Sequence, residues 1–222
     1  MLKGKSGYWF LAFLALGLLI GPLSRAAERG DEEHVVASLQ KSYDAIQDFV
    51  ADFRQENDVK TLNRKIKASG KVYFKRPGKM LWRYEEPKGQ WVLADGKNLY
   101  YYQPEQRQVI KSPLKKAFHS EVPVSFLLGI GNLRKDFNVT LKGSEQGNYV
   151  LQLAPKGSAG GFTDIQLGVD RRSFEIVWAR ILDATGNMTT IRFSGMQKGV
   201  GLKDSVFHLQ LPDGADVVEL PS

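Results

Sequence analysis

Apolar positions recur along this chain at two different periods. Val35, Val36, Leu39, Tyr43, Ile46, Val50 and Phe53 return at helical spacing, supported by Ala37, Ala45 and Ala51. Asp31, Glu32 and Glu33 lie at the positive end of that segment. The spacing predicts a helix from about 33 to 55 with one wide apolar face. Beyond it the period falls to two. Alternating runs at 66–74, 80–85, 90–94, 99–103, 108–111, 137–142, 149–154, 164–169, 176–182, 189–194 and 206–211 predict short strands. Turn residues such as Asp95-Gly96, Pro104-Glu105 and 185–187 separate them, as in an antiparallel meander.

One stretch breaks the alternation. Residues 112–135 contain Pro113, Pro123, Gly129 and Gly131 among Phe118, Val124, Phe126, Leu127, Leu128, Ile130 and Leu133. That is too apolar for a plain surface loop, and it predicts one or two short helices joined by a bend. About ten or eleven strands in one antiparallel run must twist and curl. The expected fold is mainly β with α: an open, strongly curved antiparallel sheet, an incomplete β-barrel, with a helical lid over an apolar cavity. The lid helices fall at about 33–55 and 112–135. No linker or repeat divides residues 27–222, which predict a single domain.

Within the strands, 74–84 carries the most information. The basic turn Lys75-Arg76-Pro77-Gly78-Lys79 leads into a strand whose Met80, Trp82 and Tyr84 share one face, while Lys79, Leu81 and Arg83 share the other. A soft aromatic wall beside a guanidinium is a poor catalytic kit. It suits the lining and latching of an apolar pocket. The same reasoning picks Trp91, Tyr100, Tyr102, Ile165 and Leu167 as further wall residues, and Leu39, Tyr43, Ile46, Val50, Phe126 and Leu127 as the lid's apolar face. A register slip of one residue inverts a face, so Tyr101 is the alternative to Tyr100 and Tyr102.

The chain's start changes the expected location. Lys3 and Lys5, an apolar run over 10–20 interrupted only by Gly17, Gly21-Pro22 and the small residues of Ser24-Arg25-Ala26 form an export-signal pattern. Residues 1–26 are expected to be cleaved, leaving a soluble protein in an extracytoplasmic space. The formal charge of +7 includes three leader bases, and without them 28 basic face 24 acidic residues. That mild, dispersed excess does not suit a nucleic-acid binder. It is compatible with anionic membrane headgroups.

Chemistry-bearing patterns are scarce. Zero cysteines exclude disulfides, thiol catalysis, thiolate metal sites and a lipid anchored on cysteine. His34, His119 and His208 lack metal spacing. There is no Gly-x-Ser-x-Gly elbow, Gly129-Ile130-Gly131 lacks a third glycine, and no phosphate-loop Lys-Ser/Thr follows 156–161. Asp95, Asp164, Asp170 and Asp183 fall mostly at strand ends or turns. No enzyme, cofactor or metal is expected.

Several of these segments, in order and at fitting distances, resemble the outer-membrane lipoprotein carrier protein (LolA) family. They are Phe74-Lys75-Arg76-Pro77-Gly78-Lys79-Met80-Leu81-Trp82, Asp95-Gly96-Lys97-Asn98-Leu99-Tyr100, Tyr102-Gln103-Pro104 followed by Gln108-Val109, and, more weakly, Phe126-Leu127-Leu128-Gly129. Met80 and Leu81 depart from the family pattern, which often has an aromatic and a polar residue there. Leu81 is expected to face away from the cavity.

The resemblance implies a periplasmic chaperone. Such a protein accepts acylated lipoproteins released from the inner membrane, shields their acyl chains and delivers them to the outer membrane. The implied partners are the lipoprotein cargo, an inner-membrane ABC-type release complex, and an outer-membrane acceptor lipoprotein or the outer membrane itself, with the carrier a monomer. It also implies that Arg76 bonds to lid carbonyls in the empty form. The alternative is a periplasmic sensor or carrier of another lipid or glycolipid on the same scaffold.

Overall fold

The computed structural model describes residues 21–114, 132–156 and 162–219. A helix, α1 (Gly21–Ala45), leads into a sheet of twelve strands. These are β1 (Asp48–Val59), β2 (Arg64–Lys75), β3 (Lys79–Glu86), β4 (Trp91–Asp95), β5 (Asn98–Gln103), β6 (Gln108–Pro113), β7 (Phe137–Glu145), β8 (Asn148–Pro155), β9 (Phe162–Asp170), β10 (Ile176–Asp183), β11 (Met188–Lys198) and β12 (Asp216–Glu219). A short helix, α2 (Leu133–Asp136), precedes β7. The spatial order is β12-β6-β5-β4-β3-β2-β1-β11-β10-β9-β8-β7. The sheet is open and curved, and β7 and β12 are its two edges among the described residues.

Three expectations need correction. The helix ends at Ala45, and 48–59 is a strand paired with β2 on one side and β11 on the other. Phe49, Ala51 and Phe53 already alternate in the sequence, and two flanking strands decide in favour of that period over the helical one. Val50 therefore belongs to β1, opposite Tyr73, and not to the lid. Residues 206–211 are not a strand: a 3-10 turn, Asp204–Phe207, stands at their start, and its Phe207 is buried. The sheet is also not wholly antiparallel, since β12 pairs with β6 in parallel. Most of the expected leader, and residues 115–131 with Phe126 and Leu127, lie outside the described residues.

The sheet buries apolar side chains on both faces. On the face covered by α1, called inner here, Val35, Val36, Leu39 and Tyr43 pack on Leu151, Leu153, Ile165, Leu167, Val169 and Ala179. A second inner cluster joins Ala51, Phe53, Val72, Met80, Trp82, Ala94 and Ile191. On the outer face Leu81, Leu93, Tyr100 and Val109 close around Phe207. Segment 199–215 thus forms a strap across the outer face.

Two glycines make room for neighbouring strands of the sheet. A Cβ at Gly70 would lie 2.1 Å from the Arg83 carbonyl oxygen, and one at Gly168 would lie 2.1 Å from the Trp178 indole.

The acids at strand ends hold turns. Backbone N–H groups of Ser173 and Arg172 keep the Asp170 carboxyl below the usual range. At Asp95 burial works against ionisation, yet the N–H groups of Asn98 and Lys97 and the Tyr100 hydroxyl hold the carboxyl low.

Candidate functional site

The end of α1 needs a cation. Its last carbonyls lack intrahelical partners, and its last turn contains no basic residue. Arg76, in the turn between β2 and β3, supplies one. Its Nε donates to the Ile46 carbonyl at 2.9 Å, and its Nη2 donates to the Tyr43 carbonyl at 3.0 Å. The same nitrogen lies 3.4 Å from the Asp44 carboxylate, and the guanidinium carbon stands 5.3 Å from the Tyr43 ring centre. The Arg76 backbone N–H also donates to the Gln47 carbonyl at 2.8 Å. A planar fork reaches these acceptors together, which a lysine ammonium would not. Gly78, with φ of +66°, completes the turn that aims it.

Beside this contact a narrow apolar cleft with a cavity volume of about 40 Å³, partly open to solvent, runs between the C-terminal half of α1 and the sheet. Leu39, Tyr43 and Ile46 form its roof, and Phe49, Ile176, Phe193 and Met196 its floor. Deeper on the inner face stands an aromatic wall. The Phe53 ring centre lies 4.6 Å from that of Trp82 and 5.0 Å from that of Tyr84. Phe193 packs edge-on to Trp82, and the Trp82 N–H turns back toward the Met80 sulfur. Burial, and to a lesser degree Tyr101, pushes the Tyr84 hydroxyl up to about 12. It therefore stays protonated and meets Gln55 Oε1 at 3.3 Å. The wall carries no charge at neutral pH.

The residues chosen from the sequence divide between the two faces. Met80, Trp82 and Tyr84 lie together on the inner face, and Ile165 and Leu167 lie there under α1. Leu39 and Tyr43 face them from the helix, and Ile46 joins the cleft roof. Trp91, Tyr100 and Tyr102 do not belong to this wall. They lie on the outer face with Leu81 and Leu93, and Trp91 stacks on Tyr102 with ring centres 5.4 Å apart. Cross-strand register explains the inversion: Met80 opposes Ala94, and Ala94 opposes Leu99, so inner-face positions continue through Val92 and Tyr101. Tyr101 is thus the inner member of its trio. Leu81 faces outward, as expected.

Phe49, Phe193, Met196 and Ile176 were not chosen from the sequence. Alternation in β1 and β11 marks Phe49 and Phe193, but only pairing brings them beneath Ile46.

Such a sheet, with one face apolar under a helix pinned at its end, defines a class of open-mouthed half-barrel. Residues 44–210 match the sequence profile of the outer membrane lipoprotein carrier protein LolA. The chain is 34% identical over 196 residues to an outer-membrane lipoprotein carrier protein of Cupriavidus pinatubonensis, covering 84% of this chain and 91% of that one. It is 29% identical over 203 residues to the protein of that name from Methylococcus capsulatus, covering 91% and 96%. The fold is also similar to that of an uncharacterized conserved protein from Thermus thermophilus, with a TM-score of 0.54 at 12% identity, covering 86% of this chain and 99% of that one. The chain belongs to the outer membrane lipoprotein carrier protein LolA family.

Proposed function

We propose that this protein carries acylated lipoproteins through the periplasm, accepting them after release from the inner membrane and passing them to the outer membrane. The observation that carries the reading is the pairing of an apolar inner face with a helix whose C-terminal end is gripped by an arginine. Covering a CH₂ group contributes about 0.8 kcal/mol, so three acyl chains of ordinary length represent on the order of 30 kcal/mol of aversion to water. Transit through an aqueous space therefore demands a cover.

The geometry supports opening at one end of α1. Its middle, 32–40, is tied down: Glu32 accepts from the Leu141 N–H at 3.0 Å, Gln40 accepts from the Leu133 N–H at 2.9 Å, and Glu33 pairs with Arg134. Its last turn borders the cleft and is held by Arg76 and by the Ser42 hydroxyl, which donates to the Ser173 carbonyl at 3.2 Å. Acyl chains enter beside Ile46, displace the helix end from Phe49, Phe193 and Met196, and spread along the wall of Phe53, Met80, Trp82 and Tyr84. Breaking the Arg76 contacts costs energy that the cargo must offset, so binding is weakened and hand-over is downhill. Arg76 is a latch in this reading. Each step is non-covalent and assigns no catalytic residue. Among the described residues no group of three histidine, aspartate or glutamate side chains could hold a metal.

The implied partners are an ABC-type release complex in the inner membrane and an acceptor lipoprotein, or the membrane itself, on the other side. No described helix is long and apolar enough to cross a membrane. The test is lipoprotein release from inner-membrane vesicles that contain the release complex, with and without this protein. Soluble cargo–carrier complex is expected only when it is present. Cargo left on the vesicles overturns the reading.

A further inference from the structure

The turn that aims Arg76 is itself held from the outer face. Asp204, at the start of the 3-10 turn in the strap, bridges the two lysines flanking it. Oδ1 lies 2.7 Å from Lys75 Nζ and Oδ2 lies 2.7 Å from Lys79 Nζ. Lys75 Nζ also donates to the Leu202 carbonyl at 2.7 Å. The strap grips the other half of the hinge as well. Asp48, the first residue of β1 after the helix, accepts from the Leu202 N–H at 2.9 Å through Oδ2, and its carbonyl accepts from the Gly199 N–H at 3.0 Å. Phe207, 1% exposed between Leu81, Leu93, Tyr100 and Val109, fixes the strap to the sheet.

The geometry points to Asp204 as a positioning residue for the latch: by clamping Lys75 and Lys79 it holds the 76–78 turn so that the Arg76 fork meets the helix-end carbonyls. This rests on the latch reading above. A guanidinium on an unrestrained turn must lose more freedom to reach two fixed acceptors, and that loss weakens closure. The outer strap and the inner lid then form one device, joined through the β2–β3 turn.

The test is uptake of N-phenyl-1-naphthylamine by full-length protein, followed by fluorescence, for wild type, Asp204→Asn, Arg76→Leu and the double variant. Circular dichroism and melting check the fold. Two partly exposed ion pairs predict a rise in probe affinity of about two- to fivefold for Asp204→Asn. Asp204→Glu, which keeps the charge, should stay near wild type. In the Arg76→Leu background Asp204→Asn should add nothing, because the clamp acts only through the arginine. An equal rise in both backgrounds overturns the inference, since the strap then merely stabilises the fold. So does wild-type uptake by Asp204→Asn when Arg76→Leu takes up more. If Arg76→Leu itself changes nothing, the latch reading fails first, and the positioning role falls with it.

Discussion

Replacing Arg76 by leucine removes the proposed latch and keeps the bulk of its stem. Two hydrogen bonds from an ionised donor to backbone carbonyls, at 2.9 and 3.0 Å, are lost. Each is worth about 1.5–3 kcal/mol when buried. The Arg76 side chain is 23% exposed and the carbonyls regain water on opening, so the lower end of that range applies. The Tyr43 ring contact adds about 0.5 kcal/mol, and the Asp44 pair, with Asp44 58% exposed, adds little. The sum is about 3.5 kcal/mol, or on the order of a few hundredfold in the ratio of latched to open protein. In the proposed mechanism cargo binds the open form, so Arg76→Leu should hold an acylated lipoprotein more tightly and release it more slowly. The assay is transfer of a radiolabelled lipoprotein from the purified complex to outer-membrane vesicles. Arg76→Lys should fall between, because a point charge cannot fork across two acceptors. Transfer by Arg76→Leu at the wild-type rate, with intact fold, would refute the reasoning.

Ile176→Trp should fill the cleft floor, lowering N-phenyl-1-naphthylamine uptake at least severalfold while the circular dichroism spectrum stays unchanged. Trp91→Ala should lose its stacking on Tyr102, costing about 1 kcal/mol or more in urea unfolding, yet leave probe uptake intact because it lies on the outer face. Phe53→Ala on the inner wall should reduce both. Gly70→Ala should destabilise by about 1–3 kcal/mol or more, since its Cβ meets the Arg83 backbone and not a movable side chain. Asp204 should titrate at about 2, held down by its hydrogen bonds to Lys75 and then Lys79. Its folded-state value is depressed, so its stabilising contribution is complete above the unfolded carboxylate range and disappears as pH falls through about 2. NMR titration checks this, and a return to the ordinary aspartate value in Lys75→Ala/Lys79→Ala confirms the cause.

Local pattern was enough to read a long alternating β chain, the inner trio Met80, Trp82 and Tyr84, the outward Leu81 and the turn that holds Arg76. Each is a matter of side chains two residues apart or of a turn's own chemistry, and such signals survive without knowledge of neighbours. The helix end is not fixed by local pattern, because Ile46, Val50 and Phe53 satisfy the helical period while Phe49, Ala51 and Phe53 satisfy the strand period equally well. Only the flanking β2 and β11 break that tie. Trp91, Tyr100 and Tyr102 could not be assigned a face because alternation is blind to sign. Pairing through Ala94 and Leu99 turns them outward, where Phe207, distant in sequence, completes their cluster. The cleft floor and the Asp204 clamp are likewise long-range facts. They join segments separated by more than a hundred residues, and that proximity comes from the order in which strands assemble, which no local window of sequence contains.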